Sequence, residues 1–197
     1  MADPDRKRPW TLLQRTYPLA DRWLRLRHDV MQSPDGRTLP PNPVFEHSDW
    51  VDAIVLTTGL NIVLVQQYRH SVRSLRTEFP AGTMEAGEDP LVAMKRELLE
   101  ETGYASDHWH VLGSALVYPS LQTNRIYSFL ALNARKVADQ TLDVGEAIEP
   151  FELPFSQFLD QVRSGALELP ALQLAGLWLL SARLRGRGVP GTSIPFP

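Results

Sequence analysis

The chain has 197 residues, 43% of them hydrophobic and 22% charged, with a formal net charge of -3. That length fits one domain with an elaboration, or two small lobes, and the apolar content can supply a sizeable core. The balance offers no basic face for nucleic acid, and the absence of cysteine excludes disulfides, thiolate metal sites and a cysteine nucleophile.

The charge is informative once divided. The segment Gly82 to Tyr104 holds six acids against two bases, a local sum of -4, which leaves +1 for the remainder. Acidity is concentrated at one place, as metal binding requires. The opening MADPDRKRPW has no apolar run behind its basic residues and does not read as a secretory signal. The longest apolar stretch, Leu172 to Leu180, is interrupted by Gln173 and is too short to span a bilayer. The expectation is a soluble cytoplasmic protein with no membrane or nucleic-acid partner.

In chain order, residues 1 to 9 are polar. Residues 1–46 are expected to form a small N-terminal β element: Trp23 to Arg27 alternates with period two, Ser33-Pro-Asp-Gly36 is a turn, and Leu39 to Pro43 is extended at best. Alone it is too little to bury a core, so it must pack on the main domain or on a second subunit. Val51–Thr57 and Asn61–Tyr68 read as a hairpin around Thr58-Gly59-Leu60. Leu75–Phe79, Trp109–Val117, Arg125–Leu132 and Gly145–Leu153 read as further strands. Helices are expected over Pro154–Ser164, stopping at Gly165, and over Pro170–Leu184. The main domain would occupy 47–185 and a flexible tail 186–197. Mixed strands with one helix in the middle and two at the end indicate α+β or a sandwich.

The stretch around which the chain is organised is GTMEAGEDPLVAMKRELLEETGY, Gly82 to Tyr104. Its second half is a helix with clear stops: Asp89 as N-cap, Pro90 at the first helical position, Gly103 as left-handed C-cap. Glu97, Glu100 and Glu101 stand at i, i+3 and i+4, so their carboxylates leave one face. Two carboxylates about 5 Å apart repel by roughly 3 kcal/mol at an effective dielectric near 20. A divalent cation turns that repulsion into attraction, and all-oxygen ligands suit Mg²⁺ or Mn²⁺. The first half is read as a loop whose glycines let backbone groups approach a ligand.

This segment resembles the Nudix box: Gly, five residues, Glu, seven residues, then Arg-Glu-aliphatic-any-Glu-Glu-any-Gly-aliphatic. Gly82, Glu88, Arg96, Glu97, Leu98, Glu100, Glu101 and Gly103 fill the fixed places, and only Tyr104 departs. The resemblance implies an α/β/α sandwich with a mixed sheet and a metal-dependent hydrolase of diphosphates. It implies Glu97 and Glu101 as main metal ligands, Glu100 sharing a cation, and the Ala81 carbonyl as a neutral oxygen. Arg96 would hold a glutamate in place; Glu88 would order the loop or complete the cation network, or serve only as a charge at a helix N-terminus. The general base would lie in a later loop, at Glu146 or Glu149, of which Glu146 is preferred.

Three features resemble the ADP-ribose pyrophosphatase branch of that family. Pro119 lies 16 residues beyond Gly103; Gln67-Tyr-Arg69 precedes the box, its arginine a substrate contact together with Gly82; and the N-terminal β element resembles a region exchanged across a homodimer. Trp50 would stack on a base, or be a core or interface residue. The Thr123-Asn-Arg125 run departs from that branch and keeps GDP-mannose-like sugars, NADH and dinucleotide polyphosphates open as substrates. A non-catalytic sensor of nucleotide sugars is the alternative of another class; the intact box argues against it.

Overall fold

The computed structural model describes residues 10–21 and 24–184; the two terminal segments and Trp23 lie outside the described residues. Contacts divide the chain into two units, Met1–Ser48 with Leu116–Arg125, and Asp49–Ala115 with Ile126–Pro197.

The first unit is an antiparallel sheet of β1 (Thr11–Ala20), β2 (Arg25–Gln32) and β3 (Asn42–Glu46), in that order. Two of these strands were not legible as such, because each carries a proline. Pro18 falls in the register shift between Thr16 and Leu19, where no ladder bond is lost. Pro43 lies on β3 at the sheet edge, where a missing N–H is tolerated. The expected turn is present: Gly36, at φ 87°, donates to the Ser33 carbonyl at 2.9 Å. Asp29, buried on β2, takes Arg15 at 2.8 Å and Arg27 at 3.0 Å. Glu46 takes Arg27 and Arg25. Phe45 pairs with the 116–125 segment, donating to the Leu121 carbonyl at 2.7 Å.

The second unit is a mixed sheet between helices. β4 (Trp50–Thr57) and β5 (Asn61–Arg69) form the expected hairpin, its turn closed by Leu60 at φ 58°. The sheet runs β11 (Ile148–Pro154), β5, β4, β10 (Arg125–Lys136), β8 (Tyr104–Ala105). Off this path β6 (Ser74–Glu78) pairs with β5, β7 (Ala81–Thr83) with β4 and β9 (His108–Leu116) with β10. Only the β4–β10 pair among those registered is parallel. β10 continues past Leu132 through a bulge at Asn133, φ 56°, which breaks the alternation on which its expected end rested.

β4 is buried on both sides, so it reads as a continuous apolar run rather than an alternation. Val51, Ala53, Val55, Val63 and Phe129 pack against Ala93, Met94 and Leu98 of α1 (Pro90–Thr102). On the other face Ile54, Leu56, Leu64 and Leu130 meet Phe155, Phe158 and Leu159 of α2 (Phe155–Ser164) and Leu180 and Leu184 of α3 (Ala171–Leu184). Each fully buried side chain of this size contributes about 2–3 kcal/mol. The result is the α/β/α sandwich. Among the described residues no helix is long and apolar enough to cross a membrane.

Candidate active site

α1 is placed by its ends. The Asp89 carboxylate accepts from the Leu91 and Val92 N–H groups at 2.9 and 3.2 Å, capping two of the helix's unpaired donors. At the other end Gly103 is left-handed at φ 72°, and a Cβ there would stand 2.1 Å from the Ala138 carbonyl oxygen. Only glycine ends the helix here.

The box's first half is not all loop. Ala81–Thr83 is strand β7, paired with β4 in the register Asp52–Ala81 and Val51–Gly82. This brings the Ala81 N–H to 3.0 Å from Glu101 Oε2. The group of Ala81 that meets Glu101 is thus its N–H, whereas the residue was expected to act through its carbonyl. Gly82 has no room for a side chain: a Cβ would lie 2.0 Å from the Glu97 carboxyl carbon.

Arg96 spans the other carboxylates. Its Nε and Nη2 donate to Glu88 at 3.1 and 3.0 Å, its Nη1 to Glu97 at 2.8 Å and Glu100 at 3.1 Å, and its Nη2 to the Thr83 carbonyl at 3.2 Å. Glu88 also accepts from the Glu85 N–H at 2.9 Å, tying loop to helix. The guanidinium and that N–H hold the Glu88 carboxyl below its ordinary range. The opposite holds deeper in. Glu101, only 6% exposed, is pushed up to about 8, first by burial and then by the charges of Glu97 and Glu146, against the pull of the Ala81 N–H. Glu97 is also raised by burial, against Arg96.

Glu146 accepts from the Asp143 N–H at 3.1 Å on an exposed loop. Its charge acts on Glu97, Glu101 and Arg69 together. The loop is moored to α1 by Gln140 Nε2 donating to the Glu101 carbonyl at 2.5 Å and Thr141 N–H to the Glu100 carbonyl at 2.9 Å, and to β11 by Gln140 Nε2 donating to the Ile148 carbonyl at 3.0 Å. Glu149 instead sits exposed on β11, opposite Gln66.

Arg69 is held by Glu78 in a two-pronged pair, Nε to Oε1 at 2.9 Å and Nη2 to Oε2 at 2.6 Å. A guanidinium has five N–H donors, so three remain. Trp50 opens β4, half-buried, opposite Thr83 and Ile126. Pro119 lies on an exposed turn of the first unit, so it does not share a unit with the glutamates. Two residues of this region were missed in the sequence, Glu78 and Gln173. The signals for them were an acid ending an apolar-flanked strand and one amide inside the longest apolar run.

The donor set is all oxygen, and Glu101, its most buried member, has no ion-pair partner among the described residues, which is the chemistry that suits a hard divalent cation. Among the described residues no three His, Cys, Asp or Glu side chains surround a common point closely enough to hold an ion; Arg96 is the cation that bridges Glu97 and Glu100.

A helix carrying three glutamates, capped at both ends and laid against a glycine-bearing strand of a mixed sheet, defines the class, and the comparisons with known proteins agree. The NUDIX domain model matches residues 47–171, and the chain belongs to this family. It is 32% identical over 143 residues to the methanol dehydrogenase activator of Bacillus methanolicus, covering 72% of this chain and 77% of that protein. It is 34% identical over 113 residues to the ADP-ribose pyrophosphatase of Mycobacterium tuberculosis, covering 57% of this chain and about half, 54%, of that protein. A crystal structure described as an ADP compounds hydrolase shares the fold at a TM-score of 0.78 and 18% identity, over 91% of this chain and 96% of that one.

Proposed function

We propose that this chain hydrolyses the diphosphate bond of a nucleoside diphosphate sugar, with ADP-ribose giving AMP and ribose 5-phosphate, in the presence of Mg²⁺ or Mn²⁺. The observation that carries this is the packing of strand β7 on the glutamates of α1, with the Ala81 N–H 3.0 Å from Glu101 Oε2 and Gly82 pressed against the Glu97 carboxyl. A diphosphate repels an anionic attacker, so its hydrolysis needs cations on the phosphates and a base for the water. Glu97 and Glu101, with Glu100 and the Ala81 carbonyl, would hold the metal, which neutralises phosphate charge and lowers the pKa of bound water.

The chain's own groups do the rest. Glu146 takes a proton from the attacking water; the new bond forms to one phosphorus as its bond to the bridging oxygen breaks. Arg69, kept straight by Glu78, uses its remaining donors on phosphate oxygens. Arg96 keeps Glu88, Glu97 and Glu100 in place. Trp50 stacks on the base, and Gly82 borders the substrate. The name of the Mycobacterium tuberculosis relative supports ADP-ribose over other nucleotide sugars.

Residues 1–46 are proposed as an element exchanged in a homodimer, 47–185 as the hydrolase domain and 186–197 as a tail. β1 supports the dimer: it is exposed along all ten residues and displays Leu12, Leu13, Tyr17 and Leu19, apolar surface of a kind that marks interaction sites. A cytoplasmic setting is supported by the lack of cysteine.

The test is release of monophosphates from ADP-ribose, GDP-mannose, UDP-glucose, NADH and diadenosine polyphosphates with either metal. ADP-ribose cleaved ahead of the rest is the expected result, and its being left intact while another is cleaved would move the substrate assignment. The coverage of the Bacillus methanolicus relative favours a second reading, activation of a methanol dehydrogenase. Assaying such a dehydrogenase with and without this chain distinguishes the two.

A further inference from the structure

The one amide in the run Leu172 to Leu180 is Gln173, and the fold buries it on α3. An unpaired carboxamide there would cost a few kcal/mol. It is paired twice with one residue: Oε1 accepts from the Phe79 N–H at 2.8 Å, and Nε2 donates to the Phe79 carbonyl at 3.2 Å. The side chain does for Phe79 what a neighbouring strand would do.

Phe79 lies in the short link between β6 and β7, and each of its neighbours is bonded to a different element. Glu78 grips Arg69 by two bonds. The Pro80 carbonyl accepts from the Ala53 N–H at 3.1 Å. The Ala81 N–H donates to Glu101 at 3.0 Å. Two of these four residues therefore aim groups of the site, and Gln173 fixes the backbone between them from the opposite face of the sheet. Three residues along α3, Gly176 permits the close approach: a Cβ would stand 3.2 Å from Ser128 Oγ and 3.6 Å from Asp52 Oδ2.

We infer that Gln173 is a positioning residue for hydrolysis, setting through Phe79 the aim of the Ala81 N–H on Glu101 and of Glu78 on Arg69. This rests on the roles proposed above for Glu101 and Arg69. A residue that only fills space is replaced by methionine at little cost; a clamp needs one acceptor and one donor. A glutamate supplies both only when protonated.

The experiment measures kcat and KM per folded molecule for wild type, Gln173→Met, Gln173→Glu and Glu101→Gln, across pH. Gln173→Met is expected to lose roughly tenfold to a hundredfold in kcat, the scale of an ångström-sized misplacement, at a fixed ratio to wild type across pH. Gln173→Glu is expected to recover towards wild type as pH falls. A folded Gln173→Met with wild-type turnover, or a Gln173→Glu ratio as flat as the methionine's, overturns the inference. If Gln173→Met does not fold, the pH dependence of the glutamate ratio decides. Loss of activity in Glu101→Gln beside normal activity in Gln173→Met rejects the positioning role alone, whereas full activity in Glu101→Gln rejects the site on which it rests.

Discussion

Asp29 and Glu101 are each 6% exposed, but Glu101 lies under far more protein than Asp29, and their carboxyl groups shift in opposite directions. Asp29, on β2 of the first unit, receives two guanidinium groups and is held below its ordinary range, chiefly by the Arg15 hydrogen bonds. Glu101, on α1 of the second, receives one backbone N–H and two like charges and rises to about 8. Low exposure alone therefore does not mark a functional carboxylate; depth and partners separate the two. The mark is burial without a matched cation, a condition that a purely structural network removes and a metal or phosphate site retains.

The sharpest way to break this comparison is to neutralise one carboxylate of each kind. Glu101→Gln should abolish most turnover, on the order of a thousandfold, while thermal melting stays level or rises, because the amide keeps the acceptor for the Ala81 N–H and cannot ionise. Steady-state kinetics alongside a melting curve reads both. Asp29→Asn should do the reverse: about 1–3 kcal/mol of stability lost in urea, with turnover per folded molecule kept. Were the two variants to behave alike, the contrast would have no functional content.

Gly82→Ala sharpens it by a smaller step. The added Cβ meets the mobile end of Glu97, so the fold should lose under about 1 kcal/mol while kcat falls about tenfold as Glu97 is displaced. Equal losses of stability and rate would indicate a packing role instead.

A last break of the comparison lies in pH dependence, which touches stability and leaves turnover alone. Asp52, buried on β4 with one carboxyl oxygen unpartnered, is pushed up to about 7 by burial, against a hydrogen bond from Ser128. Its folded pKa exceeds its unfolded value of 3.8, so the unfolded chain loses this proton first. The contribution is complete below pH 3.8 and declines until about 7, at no more than about 1.4 kcal/mol per pH unit. Asp52→Asn should flatten that part of a stability profile measured by denaturant titration.

The hairpin β4–β5 and helix α1 were legible because their signals are local: apolar runs about a turn, an aspartate, a proline and a glycine at helix ends. β1 and β3 were not, since Pro18 and Pro43 hide strands whose tolerance of proline depends on a bulge and on an edge. Within the site, Glu97, Glu100 and Glu101 follow from helical spacing. The gathering of Glu146 and Arg69 beside them depends on long-range pairing of β11 with β5, to which no local pattern points. Gln173 shows the same limit: its break in an apolar run was visible, but its partner Phe79 is 94 positions away.

The central claim is that the acids of α1 would hold a divalent cation for cleavage of a diphosphate. Phosphorus NMR of ADP-ribose incubated with the chain, first with Mg²⁺ and then with excess chelator, tests it most directly. The account predicts AMP and ribose 5-phosphate with the metal and unchanged ADP-ribose without it. Cleavage that continues undiminished in chelator would contradict it.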